Sequence, residues 1–276
     1  MRASDKPLAG KRIVITRAPA QSVELAAALE KLGARVISLP LVAFAPPKDK
    51  RPLDSALRSL ARFDAILFLS RNAVRYVCER CGELGIKGDI LASPNRLIAA
   101  VGPATAEEAA RKGWRVSFVA ENRTGESLAH ELGGHLAGRN VLLPRSDRGD
   151  ERVPSALRDA GANVTEVVAY RTIAPEALDP EIIGSVRRGD VDAIVFASPS
   201  ACHNFRASVG AEALKQISER VHFAAIGPST ARAIRESGAR VDIEVNEAAL
   251  IGIDAIAEAL ARFFHTGAPA APARSA

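Results

Sequence analysis

Six short turns in the sequence carry residue types that could bind or transform an anion. Each follows a short apolar run and opens a helical stretch, and the turns fall into three similar pairs: Thr16-Arg17 with Pro144-Arg145-Ser146, Ser70-Arg-Asn-Ala73 with Ser198-Pro-Ser-Ala201, and Gly102-Pro-Ala-Thr-Ala106 with Gly227-Pro-Ser-Thr-Ala231. In an open parallel sheet, ligands bind beyond the carboxyl ends of the strands, where turns of this kind lie. The pattern therefore predicts a binding site made of hydroxyl groups, glycines and arginines.

The chemistry of these turns suits a carboxylate or a phosphate. A Ser or Thr at the start of a helix accepts hydrogen bonds from free backbone N–H groups, and the helix N-terminus carries partial positive charge. Glycine lets a ligand approach the backbone closely. The alternative stays open that the hydroxyl residues are helix caps and nothing more. This alternative concerns Ser70, Thr105, Ser198 and Thr230.

Patterns typical of a metal site or a nucleotide cofactor are missing from the sequence. Cys78 and Cys81 have C-x-x-C spacing, but neither a second pair nor a nearby His completes a zinc site. His130 and His135 stand five residues apart, whereas H-E-x-x-H places its histidines at i and i+4. We therefore expect chemistry that needs no cofactor and no metal.

The chain also resembles itself. Four segments recur in the same order, the first three at an offset of 128 residues and the last at 125. The pairs begin at Gly10 and Gly138, Leu32 and Ala160, Asp64 and Asp192, and Ala99 and Ala224. This spacing is far longer than a solenoid repeat, so it predicts an internal duplication and two similar domains.

Each copy alternates short apolar runs with Ala- and Leu-rich helical stretches. The predicted strands are Arg12–Thr16, Val36–Leu39, Ala65–Leu69, Leu97–Val101, Val141–Leu143, Val164–Val168, Ala193–Ala197 and Phe223–Ile226. Helices are predicted over Ser22–Leu32 and Thr105–Lys112, each followed by a glycine, Gly33 or Gly113. This alternation is typical of βαβ units, so the predicted fold class is α/β with parallel sheets.

Two proline-bearing segments, Leu41–Lys48 and Ala169–Pro175, occupy equivalent places in the two copies. Because proline removes a ladder donor and favours extended backbone, both are predicted to be edge or crossover strands that link the domains.

Composition narrows the class of partner. The chain has 276 residues, 47% of them hydrophobic, and a formal net charge of +5. The arginines are scattered rather than gathered with aromatic residues, which argues against nucleic acid as a partner. The first residues lack an apolar h-region, and no apolar run approaches the length of a membrane span, so we expect a cytoplasmic protein without a membrane partner.

The joint order of the motifs resembles the uroporphyrinogen-III synthases, from about Gly10 to about Leu260. The segments that carry the resemblance are Thr16-Arg17, Ser70-Arg-Asn-Ala-Val74, Val101-Gly-Pro-Ala-Thr-Ala106, Val168-Ala-Tyr-Arg-Thr172, Phe196-Ala-Ser-Pro-Ser200 and Ile226-Gly-Pro-Ser-Thr-Ala231. The chain departs from the family at Ser70-Arg71, where many members have Ser-Pro, and this weakens Ser70 as a ligand contact.

The resemblance implies two α/β domains with a cleft between them, joined by a pair of extended linkers. Residues 1–41 plus 172–265 would form one domain and residues 44–168 the other, with 266–276 a disordered tail. A single division near Gly134, which duplication alone would suggest, ranks second.

The implied activity is that of a cyclising lyase. Hydroxymethylbilane, a linear tetrapyrrole with eight carboxylate side chains, would lose water and close to uroporphyrinogen III, with ring D inverted through a spiro intermediate. Tyr170 matches the tyrosine that the family is thought to use as proton donor, and a tyrosine, with a pKa of about 10, is protonated at neutral pH. The alternative is a half-buried linker tyrosine.

The resemblance also implies roles for residues of the turns. They would bind the substrate's carboxylates or its leaving hydroxyl, with the arginines as clamps, although either arginine might equally form a salt bridge. The implied substrate-binding residues are Arg17, Ser70, Gly102, Thr105, Arg145, Ser198, Ser200, Gly227, Ser229 and Thr230.

We expect a monomer that receives its substrate from hydroxymethylbilane synthase. A two-lobed protein that binds an anion without turnover is the main alternative, because it would show the same duplication and turns. A DNA-binding regulator is a weaker one, since the tail after Leu260 is too short for a helix-turn-helix.

Overall fold

A computed structural model describes residues 6–18, 22–86, 93, 95–122, 124–245 and 254–266. By its internal contacts the chain divides into two units. Unit 1 comprises Met1–Ala43 and Ile173–Ala276, and unit 2 comprises Phe44–Thr172.

Unit 1 contains a five-stranded sheet whose neighbouring strands are all parallel. In spatial order the strands are β2 (Arg35–Ser38), β1 (Arg12–Ile15), β9 (Ala193–Phe196), β10 (His222–Ile226) and β11 (Ile243–Val245). Its helices are α1 (Val23–Lys31), α7 (Pro180–Arg188), α8 (Pro199–Val209), α9 (Ala211–Arg220), α10 (Pro228–Glu236) and α11 (Asp254–Thr266).

Both faces of this sheet are buried. Successive residues of a strand point to opposite faces, and β1 shows the consequence. Val14 packs in one apolar cluster, whereas Ile13 and Ile15 pack in another. This two-sided burial is why the strands are continuous apolar runs rather than alternating ones.

Unit 2 contains a six-stranded sheet. In spatial order the strands are β3 (Ala43–Ala45), β8 (Asn163–Ile173), β7 (Asn140–Ser146), β4 (Ala65–Phe68), β5 (Leu97–Ala100) and β6 (Phe118–Val119). From β8 to β6 every pair is parallel. The helices are α2 (Arg51–Arg58), α3 (Arg71–Glu83), α4 (Pro103–Arg111), α5 (Gly125–Leu136) and α6 (Arg152–Asp159), with a short 3-10 turn at Leu60–Arg62.

The α/β class and the parallel sheets predicted from the sequence are confirmed. Each of the eight predicted strands is present in the described residues, within a few residues of its predicted ends. The two units share one strand order. The repeat in the sequence pairs β1, β2, β4, β5 and β6 with β7, β8, β9, β10 and β11, and on this pairing the order β2-β1-β9-β10-β11 matches β8-β7-β4-β5-β6. Descent from a duplication stays a prediction.

The linker segments also form strands. Part of Leu41–Lys48 forms β3, at the edge of the unit 2 sheet, and Ala169–Pro175 contributes the end of its neighbour β8. Gly33 and Gly113 have φ of 100° and 87° at the ends of α1 and α4, as predicted for helix-terminating glycines. Helix α11 includes Thr266, the first residue of the predicted tail, and residues 267–276 lie outside those described.

Replacing two glycines by alanine should change the free energy of unfolding in opposite directions. Gly227 precedes α10 with φ 86° and ψ 149°, a region open almost only to glycine, so Gly227→Ala should lower the free energy of unfolding by about 1–3 kcal/mol. Gly134 is exposed within α5, and nothing lies within 4 Å of an added Cβ. Gly134→Ala should raise the free energy of unfolding by about 0.5–1 kcal/mol. Urea denaturation of both variants checks the pair, and equal shifts would contradict this account of Gly227.

Candidate functional site

Tyr170 lies near the end of β8 with only 7% of its surface exposed. Its phenol oxygen is 3.0 Å from the hydroxyl oxygen of Ser70, which follows β4. Ser70 also caps α3, because its hydroxyl oxygen accepts a hydrogen bond of 3.1 Å from the Ala73 N–H. The cap fixes the Ser70 hydroxyl, and the hydroxyl in turn holds the end of the phenol.

Two aromatic rings fix the ring of Tyr170. Tyr76, on α3, stacks on it with ring centroids 5.6 Å apart and planes 16° from parallel. Phe44, on β3, meets it edge-on at 5.7 Å and 77°. Both geometries are favourable for aromatic pairs, so the phenol is held in one orientation before any ligand arrives. Neither Tyr76 nor Phe44 belongs to a motif in the sequence, because their contacts with Tyr170 depend on how α3 and β3 pack.

The surroundings of Tyr170 raise its pKa above the ordinary value. Burial is the largest cause, since it penalises the phenolate, and the charge of Asp147 acts in the same direction. Hydrogen bonds from the Ser70 and Ser146 hydroxyls lower the pKa but do not outweigh burial. Tyr170 is therefore a neutral O–H donor at physiological pH. If it gave up its proton, the Ser70 hydroxyl could donate a hydrogen bond to the phenolate.

A second group of hydroxyls lies where β7 and β8 end, at Ser146 and Thr172. Ser146 Oγ lies 3.1 Å from Thr172 Oγ1 and 3.2 Å from Asp147 Oδ1. The backbone N–H groups of Arg148 and Thr172 donate to Ser146 Oγ and Asp147 Oδ1, at 3.2 and 2.9 Å. Ser146 stands in one of the six turns and Thr172 in a segment that carries the family resemblance, but neither is among the site residues predicted from the sequence.

The other candidates of unit 2 follow neighbouring strands. Gly102 follows β5, the neighbour of β4, and is the cap residue of α4 with extended backbone. Thr105, in the first turn of α4, is 5% exposed. No hydrogen bond from its hydroxyl joins it to Tyr170 or Ser70 among the described residues. The structure thus joins Ser70 to Tyr170 by a hydrogen bond. Gly102 and Thr105 lie beyond the carboxyl end of the neighbouring strand and do not share this bond.

Arg145 is the candidate whose surroundings decide most clearly between its two possible roles. Its side chain is 9% exposed and forms ion pairs with Glu166 and, at 2.7 Å, with Glu151. It also donates to the carbonyl oxygen of Gly149. These partners occupy the guanidinium, so the structure favours the salt-bridge role over the carboxylate clamp.

Unit 1 repeats the pattern of caps. Ser198 follows β9 with φ −162° and ψ 154°, and its hydroxyl oxygen accepts from the Ala201 N–H at 3.2 Å. The corresponding Ser70 has φ −162° and ψ 155°. Gly227 follows β10 and donates its N–H to Val245 O at 2.8 Å.

The remaining candidates of unit 1 differ in exposure. Thr230, in the first turn of α10, is 1% exposed, whereas its neighbour Ser229 is exposed. Ser200 and Arg17 are half-buried. Arg17 follows Thr16, whose hydroxyl donates to Val195 O at 2.8 Å. These residues lie at the carboxyl ends of β1, β9 and β10, where the strand-to-helix turns predicted them.

Cys78 and Cys81, the pair with C-x-x-C spacing, lie in surroundings that favour the neutral thiol. Cys78 Sγ accepts a hydrogen bond of 2.9 Å from the Trp114 indole N–H. Burial raises the pKa of Cys78, and that of Cys81 to about 12, which disfavours the thiolate that zinc needs. Within the described residues, no three or more His, Cys, Asp or Glu side chains are grouped so that they could hold a metal ion. In the same residues no helix is both long and apolar enough to span a bilayer.

Fold and site define a class of protein with two parallel-sheet α/β units and a buried tyrosine phenol among hydroxyl groups at the strand ends. Residues 23–252 match the sequence profile of the family described as Uroporphyrinogen-III synthase HemD. The chain belongs to this family, which acts in tetrapyrrole biosynthesis. The resemblance seen in the motifs is confirmed.

Individual relatives agree with the family. The uroporphyrinogen-III synthase of Synechococcus elongatus is 33% identical over 255 residues, which cover 91% of this chain and 95% of that protein. The enzyme of Chlorobaculum parvum is 24% identical over 242 residues, which cover 84% and 92%.

Solved structures share the fold. A mutant uroporphyrinogen III synthase from Thermus thermophilus aligns with a TM-score of 0.56 at 23% identity, covering 92% of this chain and 98% of that one. The enzyme from Helicobacter pylori aligns with a TM-score of 0.51 at 17% identity, covering 84% and 91%.

Proposed function

We propose that this protein cyclises hydroxymethylbilane to uroporphyrinogen III, with loss of water and inversion of ring D, and that Tyr170 is its general acid. Family membership supports the reaction. The observation that supports the role of Tyr170 is its buried, neutral phenol, oriented by Tyr76 and Phe44 and hydrogen-bonded to Ser70. Burial keeps the proton on the phenol until a stronger acceptor forms beside it.

The first step needs a proton. Hydroxide is a poor leaving group, so the hydroxyl of ring A's hydroxymethyl group leaves as water if Tyr170 protonates it while the C–O bond breaks. The product is a cationic azafulvenium, which ring D attacks through its substituted α-carbon to form the spiro intermediate. After fragmentation and reclosure, the free α-carbon of ring D loses its proton, and the Tyr170 phenolate accepts it. Only water is released overall, and the enzyme returns to its starting state.

Binding of the eight carboxylates relies on partial charges and hydroxyl groups. The net charge of +5 favours a polyanion, and the starts of α3, α4, α8 and α10 offer free N–H groups to carboxylates. We propose that Arg17, Gly102 and Thr105, together with Ser198, Ser200, Gly227, Ser229 and Thr230, contact the substrate. Because the substrate also closes unaided to the wrong isomer, holding it in one folded geometry is the main catalytic task.

An isomer assay tests the proposal. Hydroxymethylbilane is generated in situ, the purified protein is added, and the oxidised products are separated into type I and type III uroporphyrin. We expect a large excess of type III over the control without enzyme. Type I alone, from folded protein, would overturn the proposal and favour the two-lobed protein that binds an anion without turnover.

We also propose that the protein is a cytoplasmic monomer, that it needs no cofactor, and that it takes its substrate from hydroxymethylbilane synthase. Its two proposed domains are residues 1–41 plus 172–265 and residues 44–168. Composition and the family resemblance support them.

A further inference from the structure

We propose that Ser146 and Thr172 are positioning residues for Tyr170, and that with Ser70 they form a hydroxyl cluster that accommodates its phenolate. The inference rests on the proposed function, in which Tyr170 loses a proton and regains it. Ser146 and Thr172 belong to neighbouring strands, and an irregularity of the sheet brings Ser146 opposite the tyrosine.

That irregularity is a bulge between β7 and β8. Arg145 pairs with Val168, but the next residue of β7, Ser146, pairs with Tyr170, so Ala169 is an extra residue on β8. In a parallel sheet, paired residues point to the same face. The bulge therefore turns Tyr170 onto the face of the sheet that carries the Ser146 side chain, whereas in regular register the two side chains would lie on opposite faces. Bulges re-aim side chains in this way, and they are over-represented next to active sites.

The hydrogen bonds of Ser146 leave its proton a choice of acceptors. A hydroxyl has one hydrogen and two lone pairs, and Ser146 Oγ lies within hydrogen-bond distance of Asp147 Oδ1 and Thr172 Oγ1, opposite Tyr170 on the neighbouring strand. While the phenol is neutral, Ser146 can donate to the Asp147 carboxylate. When the phenol loses its proton, the Ser146 side chain can turn its hydroxyl from Asp147 to the phenolate.

The loop after β7 does not need the hydrogen of the Ser146 hydroxyl to hold it in place. The Asp147 N–H donates to Tyr170 O at 3.1 Å, and Asp147 Oδ1 accepts from the Thr172 N–H at 2.9 Å. These two bonds tie the loop after β7 to the end of β8 without any hydroxyl. The Ser146 oxygen accepts from the Arg148 N–H, and its own hydrogen remains available to the phenolate.

A spectroscopic titration tests the cluster without substrate. The chain has two tyrosines, so Tyr76→Phe leaves Tyr170 as the only one and keeps a ring to stack on it. We label this parent with 3,5-difluorotyrosine, whose fluorines lower the intrinsic pKa of the phenol, and follow its titration by fluorine NMR. Removing a donor to the phenolate raises its pKa. We therefore expect Ser146→Ala to raise the pKa of Tyr170, and Ser146→Thr, which keeps the hydroxyl, to restore it.

Kinetics on the unlabelled enzyme give the second readout. A hydrogen bond to the phenolate would stabilise the charge that forms when Tyr170 gives up its proton. Losing that bond in Ser146→Ala should lower kcat by about tenfold with KM unchanged. Thr172→Val should act in the same direction. Ser155→Ala, on the exposed side of α6, is the matched control and should change neither the pKa of Tyr170 nor kcat. In a Tyr170→Phe background, Ser146→Ala should have no further effect.

The outcomes separate the two proposals. An unchanged pKa of Tyr170 in Ser146→Ala overturns the cluster, whatever the activity. A shifted pKa in a protein that yields only type I product would leave the contact standing and overturn the proposed function. A loss of kcat that persists in the Tyr170→Phe background would show that Ser146 does not act through the phenol.

Discussion

Tyr170→Phe should lower kcat for type III formation by about a hundredfold to ten-thousandfold, the usual contribution of a general acid. Phenylalanine keeps the ring that stacks on Tyr76 and meets Phe44, so the substitution removes the proton and leaves the packing. Ser70 still caps α3 through the Ala73 N–H, so the fold around the site should stay intact. Initial rates of type III formation, corrected for the unaided closure to type I, measure the effect.

Tyr76→Phe is the control, because it also removes one phenolic hydroxyl but keeps the stacked ring. It should leave kcat unchanged. The pH profile of kcat checks the direction in which the pKa of Tyr170 is shifted. Since the pKa of Tyr170 is raised, the acid stays protonated as pH rises through its ordinary value of about 10, and its deprotonation should cause no loss of kcat below that pH. Full activity in Tyr170→Phe would show that another group supplies the proton.

Arg145→Ala should lower the free energy of unfolding by about 3 kcal/mol, the low end for breaking a buried ion pair. The loss arises because Glu166, only 23% exposed, keeps its charge but loses its buried partner. The low end applies because Arg158 still pairs with Glu166 at 2.6 Å and Glu151 is largely exposed. Urea denaturation monitored through Trp114, the one tryptophan of the chain, measures the change in unit 2.

Arg152→Ala provides the comparison on the same loop and helix. Arg152 pairs with Asp150 at 2.6 Å, but its side chain is 72% exposed, so the cost should be within about 1 kcal/mol. Arg145→Ala that is still folded at low temperature should retain its KM for hydroxymethylbilane. A raised KM with unchanged stability would instead identify Arg145 as a carboxylate clamp and refute the structural role.

The sequence predicted the secondary structure well because the buried strands are distinctive. Runs such as those at β1, β4 and β9 are continuous and apolar, since helices cover both faces of each sheet, and glycines end the helices between them. The strand-to-helix turns followed directly from these elements. The sequence alone therefore predicts their hydroxyl residues at the carboxyl ends of strands.

The contacts within the site could not be predicted in the same way. The pairing of Ser146 with Tyr170 depends on a register shift that leaves no distinctive residue in the sequence, since Ala169 is an ordinary strand residue. The role of Arg145 depended on Glu166, which is remote in sequence and meets it only because β7 pairs with β8. Local patterns determine the elements, but the site depends on how neighbouring strands are aligned.

The position of β1 in its sheet governs the order in which the chain can be completed during synthesis. Ile13 pairs with Ala193, so β1 lies between β2 and a strand that leaves the ribosome 180 residues later. Residues 44–172 form a contiguous unit and can fold during that interval. Until β9 has been translated, β1 has only β2 as a partner in its sheet. These two strands are thus made before the whole of unit 2 and reach their final partners after it.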